Sequence, residues 1–367
     1  MFLTKNSQRL GALCALILIV MLAAGSAFAQ HYTRTDLTTD SAMVSNAPHI
    51  DPNLVNAWGI ARGTGSPWWI SDNGKGLTTL YDGTGLAQAL VVTIPAPSGG
   101  QSAPTGAVFN PYLGAFEVTP GNRAIFLFAT EDGTIAGWNP TVNPTNAVIK
   151  VNRSGMGAVY KGLAIGMTGS GPRIYASNFA TGKVDVFDGK FHAVNRNSAF
   201  ADSQLPNNYA PFGIQNVGGN IVVTFAHRAP GSLDEDHGAG LGYVDVFDLS
   251  GRLLLRLQHG STLNAPWGIA QAPGDFGAFS HRLLIGNFGD GFIHAYNAVS
   301  GKHEGQLLDP TGAPIWIDGL WAISFGGNST NNGNLNELFF TAGPNDEGDG
   351  ILGKLNPVAS EQRGNNE

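Results

Sequence analysis

Cysteine is nearly missing from this chain: the single one in 367 residues is Cys14. It lies in an N-terminal apolar run, so the body of the protein has no thiol. Disulfides, thiolate catalysis and cysteine-ligated metals are excluded there. Charge is scarce as well, with Asp, Glu, Lys and Arg at 13% of residues, about half the usual share. No basic cluster occurs and the formal net charge is −7, so nucleic acid is not an expected partner. No apolar run after the first is long enough to span a membrane. The chain also lacks a Gly-x-Ser-x-Gly elbow and a His-Glu-x-x-His motif. Gly286-x-x-Gly289-x-Gly291 falls inside a hairpin pattern, which removes a dinucleotide reading. Neither nucleotide nor haem is expected as a cofactor.

Glycine is abundant instead, at 51 residues, alongside many Val, Ile, Phe and Trp. That mixture suits short strands joined by tight turns, and helix-period patterning is sparse. One strand opening is written six times: Ala57-Trp58-Gly59-Ile60, Thr105-Gly106-Ala107, Lys161-Gly162-Leu163, Phe212-Gly213-Ile214, Trp267-Gly268-Ile269 and Gly319-Leu320-Trp321-Ala322-Ile323. Gly59, Gly106, Gly162, Gly213, Gly268 and Gly319 recur about every fifty residues, the period of four-stranded propeller blades. Strand ends such as Tyr81-Asp82-Gly83, Phe187-Asp188-Gly189 and Tyr296-Asn297 repeat at the same period and supply hairpin turns. The expected fold is an all-β, six-bladed β-propeller. Its glycines sit where strands crowd the axis and a side chain would meet the next blade.

Five outer strands follow in the sequence, among them segments 86–94, 147–151 and 253–258, and the sixth is missing. The alternating segment 31–38 is the candidate to supply it, so the N-terminal strand is expected to close the last blade. Ahead of it, Lys5 and Arg9 precede an apolar run that ends at Ala27-Phe28-Ala29, the pattern of a secretory leader. The domain reading is therefore a signal peptide over 1–29, a propeller over 30–356 and a polar tail over 357–367. The protein is expected to be exported, to the periplasm or the extracellular space, to be monomeric, and to have no membrane association once the leader is removed. Segments 229–242 and 326–336 read as surface insertions.

Loops entering the first strand and loops joining the second to the third share one face of such a ring. Asp72, Glu131, Asn178, Asn287 and Asp318 fall in these loops on five blades. Converging carboxylate and amide oxygens are what calcium requires, so they form the candidate axial Ca2+ site. His227, from the remaining blade, is the candidate catalytic base. Asn56, Asn73, Lys161, Arg228, Asp234, Asp236, His237, Asn264 and Asp346 complete the expected ligand-binding face. Turn chemistry alone also places Asp and Asn before Gly. Trp58, Trp267 and Trp321 share one blade position and read as inter-blade packing, whereas Trp68, Trp69 and Trp316 are candidates for a sugar platform.

The Pro-(Trp/Phe)-Gly-Ile opening and the Gly-x-Val-x-Val-Phe-Asp strands (Gly182 to Asp188, Gly242 to Asp248) resemble NHL-type propellers. Residues 35–356 more closely resemble a group of uncharacterised exported bacterial propellers, through Leu37-Thr38-Thr39-Asp40 and Asp51-Pro52-Asn53-Leu54-Val55-Asn56-Ala57-Trp58-Gly59-Ile60. A more distant similarity, to gluconolactonase and paraoxonase-type propellers, implies calcium held by Glu131, Asn178, Asn287 and Asp318. Three functions stay open: a binding or scaffold module for a protein or small ligand, a calcium-dependent lactone or ester hydrolase, and a carbohydrate-binding propeller.

Overall fold

The glycine-rich strand openings form the innermost strands of six radial sheets. The computed structural model describes residues 30–194 and 199–361; the leader assigned to 1–29 and the last residues of the tail lie outside these. Blade 1 comprises Ala57–Ala61, Trp68–Asp72, Leu77–Tyr81 and Ala87–Thr93. Blade 2 comprises Pro104–Phe109, Phe126–Thr130, Thr134–Trp138 and Val148–Asn152. Blade 3 has three strands, Tyr160–Thr168, Gly171–Asn178 and Lys183–Asp188. Among the described residues its outer edge carries an isolated bridge, Phe187 to Ala193. Blades 4 and 5 open with Tyr209–Val217 and Pro266–Gln271, and each has four strands.

Blade 6 contains Leu320–Phe325, Leu338–Ala342 and Ile351–Pro357, and Tyr32–Thr39 adds to its outer side. The register runs antiparallel from Tyr32 opposite Pro357 to Thr39 opposite Ile351. The two chain ends thus close the ring, as the orphan strand implied. The start of the tail also folds back: Glu361 accepts from the His31 backbone amide at 2.7 Å and meets His31 Nδ1 at 3.0 Å.

The repeated opening encodes a β-bulge. In every blade the ladder between first and second strands slips at the same place, as between Ala57 and Ile60, Pro211 and Ile214, or Leu320 and Ile323. A bulge bends the strand and re-aims one side chain. Here it brings the residue before the glycine to the axis and leaves the glycine against the next blade. A Cβ on Gly59 would lie 2.2 Å from the Thr105 carbonyl oxygen, and one on Gly213 would lie 2.1 Å from that of Trp267. Neighbouring blades are also latched by hydroxyls. Thr105 Oγ1 donates to the Tyr160 carbonyl at 2.7 Å, Ser177 Oγ to Phe212 at 2.5 Å, and Thr341 Oγ1 to Trp58 at 2.5 Å.

Two expectations change. Gly319 is not the sixth member of the glycine series; it lies before the strand at φ +62°, and Ala322 holds the equivalent position. Trp68 and Trp69 are buried, packed on Phe339 and Phe126 at the seams to blades 6 and 2, so they cannot form a sugar platform. Trp316 is exposed.

Replacing Gly213 with Ala should cost about 2–3 kcal/mol by forcing backbone apart at the axis. Gly65→Ala, whose new methyl meets nothing within 4 Å, should leave urea unfolding unchanged. Equal midpoints for the two variants would contradict this packing account.

Candidate functional site

The bulge places six side chains at the top of the axis: Trp58, Thr105, Lys161, Phe212, Trp267 and Trp321. Trp58 stacks on Trp321 with centroids 3.7 Å apart, and Phe288 stacks on the other side of Trp321 at 3.8 Å. Trp267 meets both indoles edge-on. These rings close the channel as an aromatic plug, which confirms the packing role of the three tryptophans. Two members are not aromatic, Thr105 in blade 2 and Lys161 in blade 3, and the lysine alone brings a charge.

Lys161 is 3% exposed at its side chain. Its ammonium lies over the rings of Trp58 and Phe179, 5.2 and 5.7 Å from their centroids. Burial of an ammonium must be compensated by opposite charge and hydrogen bonds. Glu131 Oε1 is 2.7 Å from Nζ, Asp234 Oδ1 3.2 Å and Glu235 Oε2 3.7 Å. Burial alone would lower the Lys161 pKa, but Glu131 and then Glu235 outweigh it and hold the value above the ordinary one.

A hydrogen-bonded chain extends from this ion pair across the mouth. Asn73 Nδ2 donates to Glu131 Oε2 at 2.9 Å, and Asn56 Nδ2 donates to Glu347 Oε2 at 2.5 Å and to Asn73 Oδ1 at 3.3 Å. Trp321 Nε1 donates to Asn56 Oδ1 at 2.8 Å, and Trp267 Nε1 to the Lys161 carbonyl at 2.9 Å, so the plug fixes the polar layer above it. Glu347 is delivered by a strained turn: Asn345, Asp346 and Glu347 have φ of 57°, 53° and 65°. Consecutive left-handed non-glycine residues are costly and persist where the surroundings over-determine them. Burial raises the Glu347 pKa, with Glu235 adding to it, while Asn56 and Lys161 oppose. A hydrogen bond to Glu235 raises that of His237. Glu235 has a side chain only 4% exposed, and its Oε2 has no hydrogen-bond partner.

Of the residues expected at the face, Asn56, Asn73, Glu131, Lys161, Asp234 and His237 meet here. The proposed calcium ligands do not converge. Asp72 is fully buried within blade 1, where burial, with Asp51 nearby, pushes its pKa well up. Asn178 Oδ1 accepts from the Val159 amide and its Nδ2 donates to Asp185; Asn287 likewise bridges the Asn264 amide and the Thr262 carbonyl. Asp318 accepts from the Asn345 amide at 3.1 Å. Among the described residues, no group of three or more His, Asp and Glu side chains is arranged to hold a metal. The five side chains are therefore not gathered into a calcium shell, and Glu131 is engaged by Lys161.

Further out, His227 Nδ1 is 2.6 Å from Asp236 Oδ2, and Nε2 is 3.0 Å from Asn208 Nδ2. Arg228 donates to the carbonyls of Phe179 and Ala180, and Asn264 Oδ1 accepts from the Gly238 amide. Asp346 is exposed in the strained turn. Glu235 and Glu347 were visible in the sequence only as members of acidic loops. The signal that could have found them is the one charged residue among the six plug positions, Lys161, which needs acids to neutralise it.

These features define a six-bladed β-propeller with a closed axis and a charged mouth. No family profile matches the chain. It is 33% identical over 325 residues to an uncharacterised protein of Acanthamoeba polyphaga mimivirus, covering 86% of this chain and 78% of that protein. The chain belongs to the same family as that viral protein. In structure it is similar to glucose dehydrogenase (TM-score 0.53, 14% identity, 88% of this chain and 99% of that one). It is also similar to streptogramin B lyase (TM-score 0.50, 11% identity, 90% and 98%). At these identities the likeness is one of fold.

Lys161→Met should destabilise the protein by about 3 kcal/mol, because it strands the buried Glu235 carboxylate without a cation. Burial already raises the Glu347 pKa and Lys161 opposes that rise, so without the lysine the deficit is full at high pH and shrinks as pH falls through the folded value of Glu347. Melts at pH 8 and pH 5 check this: a deficit larger at pH 5 would contradict it.

Proposed function

We propose that the protein is an exported, monomeric binding module whose loop-rich face accepts an ammonium or guanidinium group presented by a partner. One observation carries this reading. Glu131, Asp234, Glu235 and Glu347 gather around a single lysine, so the mouth keeps excess negative charge after its internal ion pairs are made. Hydrogen bonds and the plug preorganise those acids, which lowers the cost of binding. Lys161 supplies from within the neutralising charge that a metal would otherwise bring. Export is supported by the leader-like composition of residues 1–29.

Titration calorimetry with tetralysine and tetraglutamate tests the reading. Tetralysine should bind, weaken in high salt, and lose about tenfold in affinity in Glu235→Gln. Equal binding of the two peptides, or no effect of the substitution, would sink it.

A second reading, ester or lactone hydrolysis, is favoured by the His227–Asp236 pair alone. Asp236 holds Nδ1 and Asn208 meets Nε2, so a substrate would displace Asn208 to use Nε2 as a general base. If it operates, His227→Ala should lower turnover of a p-nitrophenyl ester at least a hundredfold with an unchanged melt. Equal turnover by wild type and variant would remove it.

A further inference from the structure

One imidazole borders the acids of the mouth. His237 lies between two anchored backbone groups of the insertion 229–242. The Asp236 amide donates to the His227 carbonyl at 2.9 Å, and the Gly238 amide to Asn264 Oδ1 at 2.7 Å. The imidazole stands edge-to-face with Phe288, centroids 5.1 Å apart, and Phe288 stacks on Trp321 of the plug. Backbone anchors and ring contact together fix His237 at the rim.

His237 Nε2 is 4.0 Å from Glu235 Oε1, within ion-pair range. The His237 side chain is half exposed and that of Glu235 only 4%, so a cation arriving from solvent meets the imidazole before the carboxylate. Glu235 Oε2, 3.7 Å from Lys161 Nζ, has no hydrogen-bond partner among the described residues. It is less well compensated than Glu131, which Lys161 and Asn73 both engage. The charged groups facing the imidazole are Glu235 and Asp236 of its own loop and Glu347 of the neighbouring turn, with Lys161 also in contact with Glu235. Contact with Glu235 raises the His237 pKa, partial burial opposes, and the charges of Glu235, Glu347 and Asp236 add to the rise. Histidine already titrates near neutrality, so the rise keeps the imidazolium populated to higher pH.

We propose, on the footing that the mouth takes an external cation, that His237 is its built-in competitor: as imidazolium it occupies Glu235, and as neutral imidazole it releases that carboxylate to the ligand. Cation and proton binding are then linked. Affinity rises as pH rises through the His237 value, and the bound cation lowers that value in return. Glu347 adds to the same trend, because burial raises its pKa and its protonation also removes negative charge from the mouth.

Calorimetry with tetralysine at pH 5.5 and pH 8, at constant ionic strength, tests it. Wild type should bind about tenfold more tightly at pH 8. His237→Gln should lose most of that gain and keep the part due to Glu347. His237→Lys, which makes the competitor permanent, should bind about tenfold more weakly than wild type at pH 8. Equal gains in wild type and His237→Gln, or wild-type affinity in His237→Lys at pH 8, would overturn the competitor and leave the mouth a cation site. No binding by wild type at either pH would overturn both. An NMR titration of the His237 ring without ligand gives a readout apart from binding: Glu235→Gln should bring its pKa down towards the ordinary value. A pKa unmoved by that substitution would show that the two side chains do not pair, and would equally overturn the proposal.

Discussion

Six first strands converge on one axis, and backbone meets backbone there at distances that admit no side chain on Gly59 or Gly213. The bulge solves that crowding by sending the preceding residue to the axis. Everything distinctive follows from which residue each blade sends. Four aromatics seal the channel, Thr105 latches to the next blade, and Lys161 brings a charge to a place where charge is costly. The acids of three other loops are then needed to neutralise it.

This dependence explains why the loops are shaped as they are. The insertion 229–242 delivers Asp234 and Glu235 to Lys161, and Asp236 to His227. The turn at Asn345–Glu347 tolerates left-handed backbone because Asn56 and the plug hold Glu347 in place. Strain in the turn, burial of the lysine and closure of the axis belong to one coupled arrangement. The same closure separates the two ends of the axis.

Blade number and ring closure were legible because both depend on local pattern. The Trp/Phe-Gly-Ile openings mark the bulge, and the unpaired alternation at residues 31–38 marks the closing strand. The sixth glycine was misplaced because Gly319 and Ala322 lie within three residues, and only the ladder register distinguishes them. The site was half legible. Asn56, Glu131, Lys161 and Asp234 were expected at the mouth, but the calcium set failed because Asn178 and Asn287 spend their amides on turns inside their own blades. Whether an Asn side chain faces inward to its turn or outward to a ligand is decided by a single rotation, which residue spacing does not encode. Glu347 depended on three left-handed residues, a conformation that composition disfavours.

The most direct test of the central claim, that the acids around Lys161 form a site for an external cation, is the NMR signal of the Lys161 Nζ nitrogen during titration with tetralysine. The account predicts that this resonance shifts along the binding isotherm and saturates with it, because an incoming cation must share Glu131 and Glu235. Binding that leaves the Lys161 signal unmoved would place the ligand elsewhere and contradict it.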